Sequence, residues 1–318
     1  MKSRAIVLLS GEGNTVPAAE AKSLFLSFDP NSRFAYPAPR LILAESRADP
    51  FLIGARIAFA RRVGVLVGEG ADAVCFLKGR RIRFRCFDLG SGKPSPDPES
   101  YLPKTDAIID LQTPEYELTL IRGTEDYLAV TAPGVMLQGW AKRRPRRRPF
   151  FHPAAIFPKL SRALVNLTGC KEGDSFLDPF AGTGSIPMEA YLVGARVLAI
   201  DQSERMVRGA AANMTYFGQD WLGVLRADAT RLPLTGVDAV ATDIPYGRAS
   251  STGGREPKEI LLHLLPALES IMGHGTKLVI MHQKEVQVGG GSEFVLKGEY
   301  DLHVHKLLTR TISVLRRR

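Results

Sequence analysis

The second half of the chain alternates short apolar runs with longer amphipathic stretches, a pattern typical of strands that alternate with helices. Helices are predicted over residues 185–193 and 256–271, the first closed by Gly194. Apolar runs typical of buried parallel strands cover residues 175–177, 195–200, 223–228, 237–243 and 277–282. Two last runs, 293–300 and 305–315, predict a closing antiparallel pair. The pattern indicates an α/β fold, a doubly wound Rossmann-like sheet of seven strands.

The first 140 or so residues contain no glycine-rich turn of the kind that binds a cofactor, and their pattern predicts a smaller α+β region. Strands at 5–10 and 41–44 alternate with helices at 17–27 and 49–61, which favours a ferredoxin-like module. Further strands are predicted at 81–86, 105–111 and 116–121. We therefore expect a ferredoxin-like domain over 1–70, a second small domain over 71–138, a basic linker over 139–153 and a catalytic domain over 154–318.

Composition agrees with a globular chain of about two domains, at 318 residues and 45% hydrophobic content. The three cysteines, Cys75, Cys86 and Cys170, lack the spacing of a metal site, and their odd number argues against a disulfide framework. The opening apolar run is too short for a signal peptide, and no apolar stretch reaches 18 residues. We expect a soluble, cytoplasmic protein that binds neither metal nor membrane.

The segment Asp178-Pro-Phe-Ala-Gly-Thr-Gly-Ser185 joins a predicted strand to a predicted helix. Its glycines, Gly182 and Gly184, allow a cofactor to approach the backbone closely. Pro187 stands where a dinucleotide-binding turn needs its third glycine, and no Gly-Lys-Ser/Thr sequence is present to bind a phosphate. Because the Asp178 carboxylate would repel a pyrophosphate and tolerate a cation, the sequence favours S-adenosylmethionine (SAM), which carries a sulfonium.

Two further acidic residues follow predicted strands at suitable distances. Asp201 comes 23 residues after Asp178, where an acidic side chain can accept both ribose hydroxyls of a nucleoside. Asp228, another 27 residues along, is placed to accept from an adenine amine. The turn, its helix and these strand ends predict a nucleoside-binding unit.

The sequence Thr242-Asp-Ile-Pro-Tyr-Gly247 follows the predicted strand 237–243. The exocyclic amines of guanine and adenine are poor nucleophiles, because their lone pairs are delocalised into the ring. The Asp243 carboxylate and the Ile244 carbonyl can both accept from such an amine and orient it, while Tyr246 stacks on the base. The tetrapeptide that includes Pro245 is therefore the predicted catalytic group for methyl transfer to a planar nitrogen.

The net charge is +9, and much of it lies in one place. Residues 142–148, called the basic segment below, contain six cations, Lys142, Arg143, Arg144, Arg146, Arg147 and Arg148. One interpretation is a solvated linker, and the other is a surface that binds RNA phosphates, with an affinity that falls steeply as salt rises. The glycine-rich stretch 247–255 adds Arg248 and Arg255, which we expect on phosphates or on an ordinary surface loop.

The motifs Asp178–Ala190, Asp243–Tyr246 and Arg-Pro-Phe-Phe-His-Pro at 148–153 together resemble those of the THUMP-containing RNA guanine N2-methyltransferases, above all the archaeal tRNA guanosine-10 enzymes. The resemblance implies a seven-stranded class I SAM-dependent methyltransferase domain, a monomer acting on tRNA, and a shortened THUMP-like region before it. That family usually has proline where this chain has Ile244, a mild departure because the expected contact is a main-chain carbonyl.

The resemblance also places the segment 149–159 beside the cofactor. The cofactor-binding set predicted from the turn, the strand ends and the resemblance is Asp178, Phe180, Ala181, Gly182, Thr183, Gly184, Asp201, Asp228, Ala229, His152 and Lys159. The expected product is N2-methylguanosine, or its dimethylated form, in tRNA.

Three alternatives remain from the sequence. The same tetrapeptide suits DNA adenine N6-methyltransferases, and a related one serves glutamine methylation in proteins. A noncatalytic RNA-binding protein that keeps the SAM-type fold is the third class. RNA is favoured over DNA because the chain shows no separate target-recognition region, and catalysis is favoured because all four strand-end carboxylates are present.

Overall fold

A computed structural model describes the chain over residues 3–11, 15–67, 77–94, 96–97, 100, 107–133, 139–232, 234–245, 256–288, 293–305 and 308–318. The chain divides into two compact units. The first takes residues 1–13 and 28–138, and the second takes residues 14–27 and 139–318. Within the described residues, every helix is too short or too polar to cross a membrane.

The first unit is built on a sheet whose opening strands follow the β-α-β-β-α-β order of a ferredoxin-like fold. The first elements along the chain are β1 (Ser3–Leu9), α1 (Val16–Phe28), β2 (Arg33–Ala38), β3 (Leu41–Ser46), α2 (Pro50–Arg56) and β4 (Ala60–Leu66). β1 lies between β3 and β4 and is antiparallel to both, which gives the order β2-β3-β1-β4. The ferredoxin-like expectation agrees with this topology.

One helix of this part is shorter than predicted. Helix α2 ends at Arg56, so the prediction of a helix over 49–61 is wrong beyond that residue. Residues 60–66 instead form β4, in which Gly64 lies so close to Val130 that a Cβ would come within 2.1 Å of the Val130 carbonyl oxygen. Strand pairing with β1 and with residues 129–131 therefore decides the structure of an apolar run that local pattern alone assigns to a helix.

The sheet continues with β5 (Arg81–Asp88), β6 (Ile108–Ile109), β7 (Tyr116–Arg122) and β8 (Asp126–Thr131). β4 pairs with β8, and the complete order is β2-β3-β1-β4-β8-β7-β5-β6. The strand predicted over 105–111 contains β6, while residues 105–106 lie outside the described part of the chain. The predicted domain boundary at residue 70 also lies outside it.

The second unit contains the predicted seven-stranded sheet. Its strands are β9 (Ser175–Asp178), β10 (Arg196–Asp201), β11 (Gly223–Arg226), β12 (Val237–Asp243), β13 (Met272–Gln283), β14 (Phe294–His305) and β15 (Leu308–Arg317). Its helices, besides α1, are α3 (Pro158–Thr168), α4 (Ser185–Tyr191), α5 (Glu204–Tyr216) and α6 (Pro257–Glu269).

The strand order is β11-β10-β9-β12-β13-β15-β14. β9 to β13 are parallel, and β15 and β14 close the sheet as the antiparallel pair that the sequence predicts. Leu264 and Leu268 of α6 pack into a core with Val240 of β12 and Leu278 of β13. The expectation of a doubly wound, seven-stranded α/β sheet is confirmed.

Helix α1 precedes the second unit in sequence by more than a hundred residues, and residues 14–27 nevertheless belong to it. The Ser23 hydroxyl donates to the carbonyl of Leu167 at 3.0 Å, and the Asn166 side-chain amide donates to Glu20 at 2.6 Å. Glu20 and Asn166 are both fully buried, so this helix is an integral part of the unit's core.

Candidate active site

Four aspartates lie along one edge of the seven-stranded sheet. Because β10, β9 and β12 are parallel neighbours, their carboxyl ends share that edge, and each ends in an aspartate: Asp201, Asp178 and Asp243. Asp228 follows β11, the next strand outward, by two residues. Open α/β sheets bind ligands at this edge, and the structure places the four predicted carboxylates along it.

A cavity of about 330 Å³ opens at this rim. Its walls come from the ends of β9, β10 and β12, from the glycine turn and from the segment before α3. The lining residues are His152, Pro153, Ala154, Ala155, Ile156, Asp178, Phe180, Ala181, Gly182, Thr183, Ser185, Ile186, Asp201, Gln202, Met206, Asp243, Ile244 and Pro245. A volume of this size is within the lower range of small-molecule sites.

The glycine turn depends on two residues with positive φ, Gly182 at 52° and Gly184 at 81°. A Cβ at Gly182 would meet no described atom within 4 Å, so the backbone borders open space on the cavity side. A Cβ at Gly184 would come within 2.7 Å of the Trp221 ring. One glycine therefore exposes the backbone to a ligand, and the other lets the turn rest on Trp221.

Asp201 ties the turn to β10. Its carboxylate accepts from the backbone N–H of Gly182 at 3.0 Å and from that of Ser203 at 2.8 Å. Burial raises the pKa of Asp201, and these two hydrogen bonds oppose the rise. The carboxylate oxygens keep further lone pairs for a ligand hydroxyl.

Asp178 is the most deeply buried of the four carboxyls, with 1% of its surface exposed. Its Oδ1 accepts from the Thr242 hydroxyl at 2.7 Å and from the Phe180 N–H at 3.1 Å. Burial nevertheless raises the pKa of Asp178 to about 8, with a smaller contribution from the neighbouring charges of Asp243 and Asp201. A cationic ligand in the cavity would favour the ionised form.

Asp243 is half-buried at the end of β12 and forms an ion pair with Arg310 through Oδ1. Arg310 lies near the start of β15, opposite Gln283 of β13, and β15 runs against β13, so its first residues lie at the same rim. Burial raises the pKa of Asp243 to about 6, although Arg310 opposes the rise. The carboxylate is therefore ionised at neutral pH, and among the described residues only Oδ1 receives a donor.

The basic segment is partly inside the protein, which corrects the expectation that all six cations face RNA. Arg143 binds buried Glu189 through Nε at 2.7 Å and through a second guanidinium nitrogen at 3.2 Å. Arg148 is 5% exposed and bonds to the Ser185 hydroxyl and to the Arg143 carbonyl. The exposed cations of the segment are Lys142, Arg144, Arg146 and Arg147.

The residues after the basic segment are fixed against α5. Phe150 exchanges two backbone hydrogen bonds with the Asn213 side chain, at 2.9 and 3.0 Å, and Asn213 also donates to the Thr183 carbonyl of the turn at 3.0 Å. The Phe150 ring packs on Gly209, where a Cβ would come within 2.0 Å of it. This attachment holds residues 152–156 as one wall of the cavity.

Comparison with known proteins agrees with this geometry. The sequence profile of the family described as RMKL-like, methyltransferase domain, matches residues 145–289. The tRNA (guanine(10)-N2)-dimethyltransferase of Methanothermobacter thermautotrophicus is 30% identical, over 98% of this chain and 99% of the relative.

This chain belongs to that tRNA guanine-N2 methyltransferase family. Two solved structures share the fold over the whole chain. TrmN from Thermus thermophilus matches with a TM-score of 0.52 at 18% identity, covering 99% of this chain and 100% of its own. SMU.472 complexed with SAH (S-adenosylhomocysteine) matches with a TM-score of 0.50 at 13% identity, covering 100% of this chain and 99% of its own.

The structure brings most of the predicted site residues of the family motifs together. His152, Asp178, Phe180, Ala181, Gly182, Thr183, Asp201, Asp243, Ile244 and Pro245 all line the cavity. Asp228 and Ala229 line a smaller adjoining cavity. Phe180, Gln202 and Pro245 line both this cavity and the larger one. Gly184 supports the turn from behind, and Lys159, in the first turn of α3, is not among the lining residues. Tyr246, Arg248 and Arg255 lie outside the described residues.

Sequence reasoning missed several residues that the structure places at the site. Arg310 is the most important, and its signal was a cation two and four residues before the apolar Ile312 and Val314, on the same face of the predicted strand. Ser185 follows the glycine turn directly and lines the cavity. Gln202 and Met206 had no signal beyond their nearness to Asp201.

Proposed function

We propose that this protein transfers methyl groups from SAM to N2 of a guanosine in tRNA, at position 10 as the names of its relatives indicate. One observation carries the proposal: the Asp243-Ile244-Pro245 end of β12 borders the same cavity as the glycine turn and the strand-end carboxylates. The group proposed to bind the amine and the turn proposed to bind the nucleoside therefore border the same cavity.

The cavity fits SAM in its chemistry. The bare backbone at Gly182 leaves room for the cofactor, Asp201 offers acceptors for ribose hydroxyls, and Asp228 in the adjoining cavity offers one for the adenine amine. Asp178 favours a cation in the same space. Bound SAM supplies an electrophilic methyl group.

The role of Asp243 is to orient the amine of the target base. Arg310 occupies Oδ1, so Oδ2 is left to accept one N–H of the amine, and the Ile244 carbonyl accepts the other. Both acceptors push electron density toward nitrogen and fix its direction, which is catalysis by position and electrostatics. No separate strong base is needed, because the nitrogen loses its proton readily once methylated.

The base must leave its stack to reach this group, at a cost of a few kcal/mol. We therefore propose that Tyr246 stacks on the extruded base, with a contribution of about 1–3 kcal/mol. We also propose that the protein acts in the cytoplasm, as a monomer and without a metal ion. Analytical ultracentrifugation of the pure protein tests whether it is a monomer, and a methylation assay after dialysis against a chelator tests whether it needs a metal ion.

The direct test is incubation of unmodified tRNA with the protein and SAM, followed by nucleoside mass spectrometry. We expect N2-methylguanosine or N2,N2-dimethylguanosine, and loss of the product when guanosine 10 is replaced by another nucleotide. N6-methyladenosine formed in duplex DNA, with unmodified tRNA recovered unchanged, would favour the DNA-modifying class instead. No product with either nucleic acid would favour a noncatalytic protein.

Neutralising the exposed cations of the basic segment is expected to weaken tRNA binding and to flatten its dependence on salt. Removing one phosphate-binding cation lowers the slope of log affinity against log salt by about 0.7–0.9. Replacing Lys142, Arg144, Arg146 and Arg147 with glutamine should therefore reduce the slope by up to about three, with the SAH dissociation constant unchanged. Filter binding at several salt concentrations measures the slope, and an unaltered slope would restore the plain-linker interpretation.

Binding of SAM is expected to release protons near neutral pH. The pKa of Asp178 is about 8 in the free protein, so the group is mostly protonated at pH 7, and a cationic ligand lowers that pKa. Calorimetric titration at pH 7 in phosphate and in Tris should give different binding enthalpies. The difference should correspond to the release of up to about one proton, multiplied by the difference between the ionisation enthalpies of the two buffers. The release should disappear in Asp178→Asn if that variant still binds, and equal enthalpies in both buffers for the native protein would contradict the assignment.

A further inference from the structure

Ile244 continues the hydrogen-bond ladder of β12 one residue beyond the end of the strand. Its main-chain N–H donates to the carbonyl of Met281 in β13 at 2.9 Å. Met281 is also the register partner of Asp243, so this hydrogen bond carries the parallel pairing of β12 and β13 into the predicted catalytic tetrapeptide. Ile244 and Met281 are 1% and 0% exposed, and the bond is therefore shielded from water.

The Ile244 side chain is anchored on the same side as its N–H. It belongs to the core cluster that contains Ile260 and Leu264 of α6 and Ile280 of β13. Ile244 nevertheless lines the cavity at the rim of the sheet. The residue thus borders the ligand space while its N–H and its side chain are both held by the core.

Three consecutive residues at this end of β12 are each tied to a different strand. Thr242 bonds to β9 through its hydroxyl, Asp243 to β15 through its ion pair, and Ile244 to β13 through its N–H. The tetrapeptide therefore starts from a backbone that is fixed on several sides.

The direction of the Ile244 carbonyl depends on this anchorage. The carbonyl belongs to the peptide bond with Pro245, which has no N–H, so that peptide group cannot be held by donating a hydrogen bond of its own. Pro245 also restricts Ile244 to extended conformations. With the conformation of Ile244 limited in this way, the position of its N–H decides where its carbonyl points.

We infer that Ile244 is a positioning residue, whose N–H bond to Met281 aims the Ile244 carbonyl at the target amine. The inference rests on the proposed function, which assigns that carbonyl as one of the two acceptors of the amine. Proline, which the family usually has at this position, fixes its own φ and cannot form the bond, because it has no N–H. In this chain the bond to β13 takes the place of the ring.

The inference predicts that the family's usual residue is harmful here. Ile244→Pro removes the N–H and leaves the buried Met281 carbonyl without this donor. The carbonyl of residue 244 should then lose its alignment, and kcat should fall by about 10- to 100-fold, as small misplacements of reacting groups do. The KM for tRNA and the dissociation constant of SAH should stay within about threefold. Single-turnover methylation assays and calorimetry measure these quantities.

Two further replacements separate the N–H from the side chain. Ile244→Val is the matched control, because valine keeps both the N–H and the branched Cβ, and its kcat should stay within about threefold of the native value. Replacing Ile244 with the corresponding α-hydroxy acid, by cell-free translation with a chemically acylated tRNA, removes the N–H and keeps the side chain. It should lower kcat as proline does, and it carries the comparison if Ile244→Pro does not fold.

The possible outcomes are distinct. Near-native kcat in Ile244→Pro or in the α-hydroxy acid variant would overturn the inference. Loss of SAH affinity in parallel with kcat, or failure of both variants to fold, would assign the bond to structure alone and would overturn it as well. A native protein that forms no N2-methylguanosine would refute the proposed function, whereas an active native protein with an equally active proline variant would refute only this inference.

Discussion

Replacing Asp243 with alanine is expected to lower kcat about 10²–10³-fold, the loss found when a preorganised polar group is removed from a reacting centre. The reason is that Asp243 contacts the target amine in our proposal and the cofactor site remains complete around it. SAH affinity should therefore stay within about threefold of the native value. Single-turnover assays with radiolabelled SAM and tRNA transcripts measure the first quantity, and calorimetry measures the second.

Asp243→Asn tests the same assignment with less change of shape. The amide keeps one carbonyl oxygen for the amine and loses the negative charge, so we expect a loss smaller than that of alanine but still at least about tenfold. Asp238→Asn is the matched control, because Asp238 lies at the opposite end of β12 and holds Ser175 at 2.8 and 2.6 Å. Near-normal turnover by Asp243→Ala would remove the residue from the mechanism.

Loss of Arg310 is expected to move the pH dependence of kcat toward alkaline pH. Burial raises the pKa of Asp243 and Arg310 lowers it, so that the pKa of this carboxyl is about 6. The native enzyme should thus gain activity as pH rises through about 6, because only the ionised carboxylate accepts from the amine. Arg310→Met removes the lowering influence, so its activity should be depressed at pH 7 and should recover as pH is raised toward 9.

Arg310→Lys and Arg316→Met serve as comparisons for that profile. Lysine keeps the charge beside Asp243 and should shift the profile less than methionine does. Arg316 lies on the same strand and is exposed, so its removal should leave the profile unchanged. A purely structural role for Arg310 would lower kcat by the same factor at every pH, and that outcome would contradict our account.

The rim of carboxylates could be predicted from sequence because a simple rule governs it. Apolar runs that each end in an acidic residue, separated by helical stretches, place those residues at one edge whenever the strands are parallel. Asp178, Asp201 and Asp243 follow that rule, and so does the glycine turn between the first strand and its helix. Local pattern is sufficient here, since connectivity fixes the geometry.

The division of the basic segment could not be predicted in the same way. A run of cations is usually solvated, and only the folded structure shows that Glu189 of α4 is buried where Arg143 and Arg162 can bind it. Arg143 and Arg162 also lie over the Trp140 ring, at 5.1 and 5.7 Å from its centroid. The ion pairs of Glu189 join residues far apart in sequence, so no short window of the chain contains them.

Arg310 was missed for a related reason. Its partner is 67 residues away and lies on a strand that is separated from β15 by β13. The sequence predicts the closing antiparallel pair but not which residue of β15 would come level with the end of β12. Register, which depends on pairings such as Gln283 with Arg310, supplies that information.

The position of α1 has a consequence for anyone who wishes to produce the methyltransferase part alone. A fragment that starts at residue 139 would lack this helix, so the buried Asn166 side-chain amide and the Leu167 carbonyl would lose their hydrogen-bond partners Glu20 and Ser23. Such a truncated product should aggregate, and adding residues 14–27 as a separate peptide should rescue its solubility. During synthesis α1 leaves the ribosome long before α3 is made, so we expect the second unit to reach its final packing only after both segments have emerged.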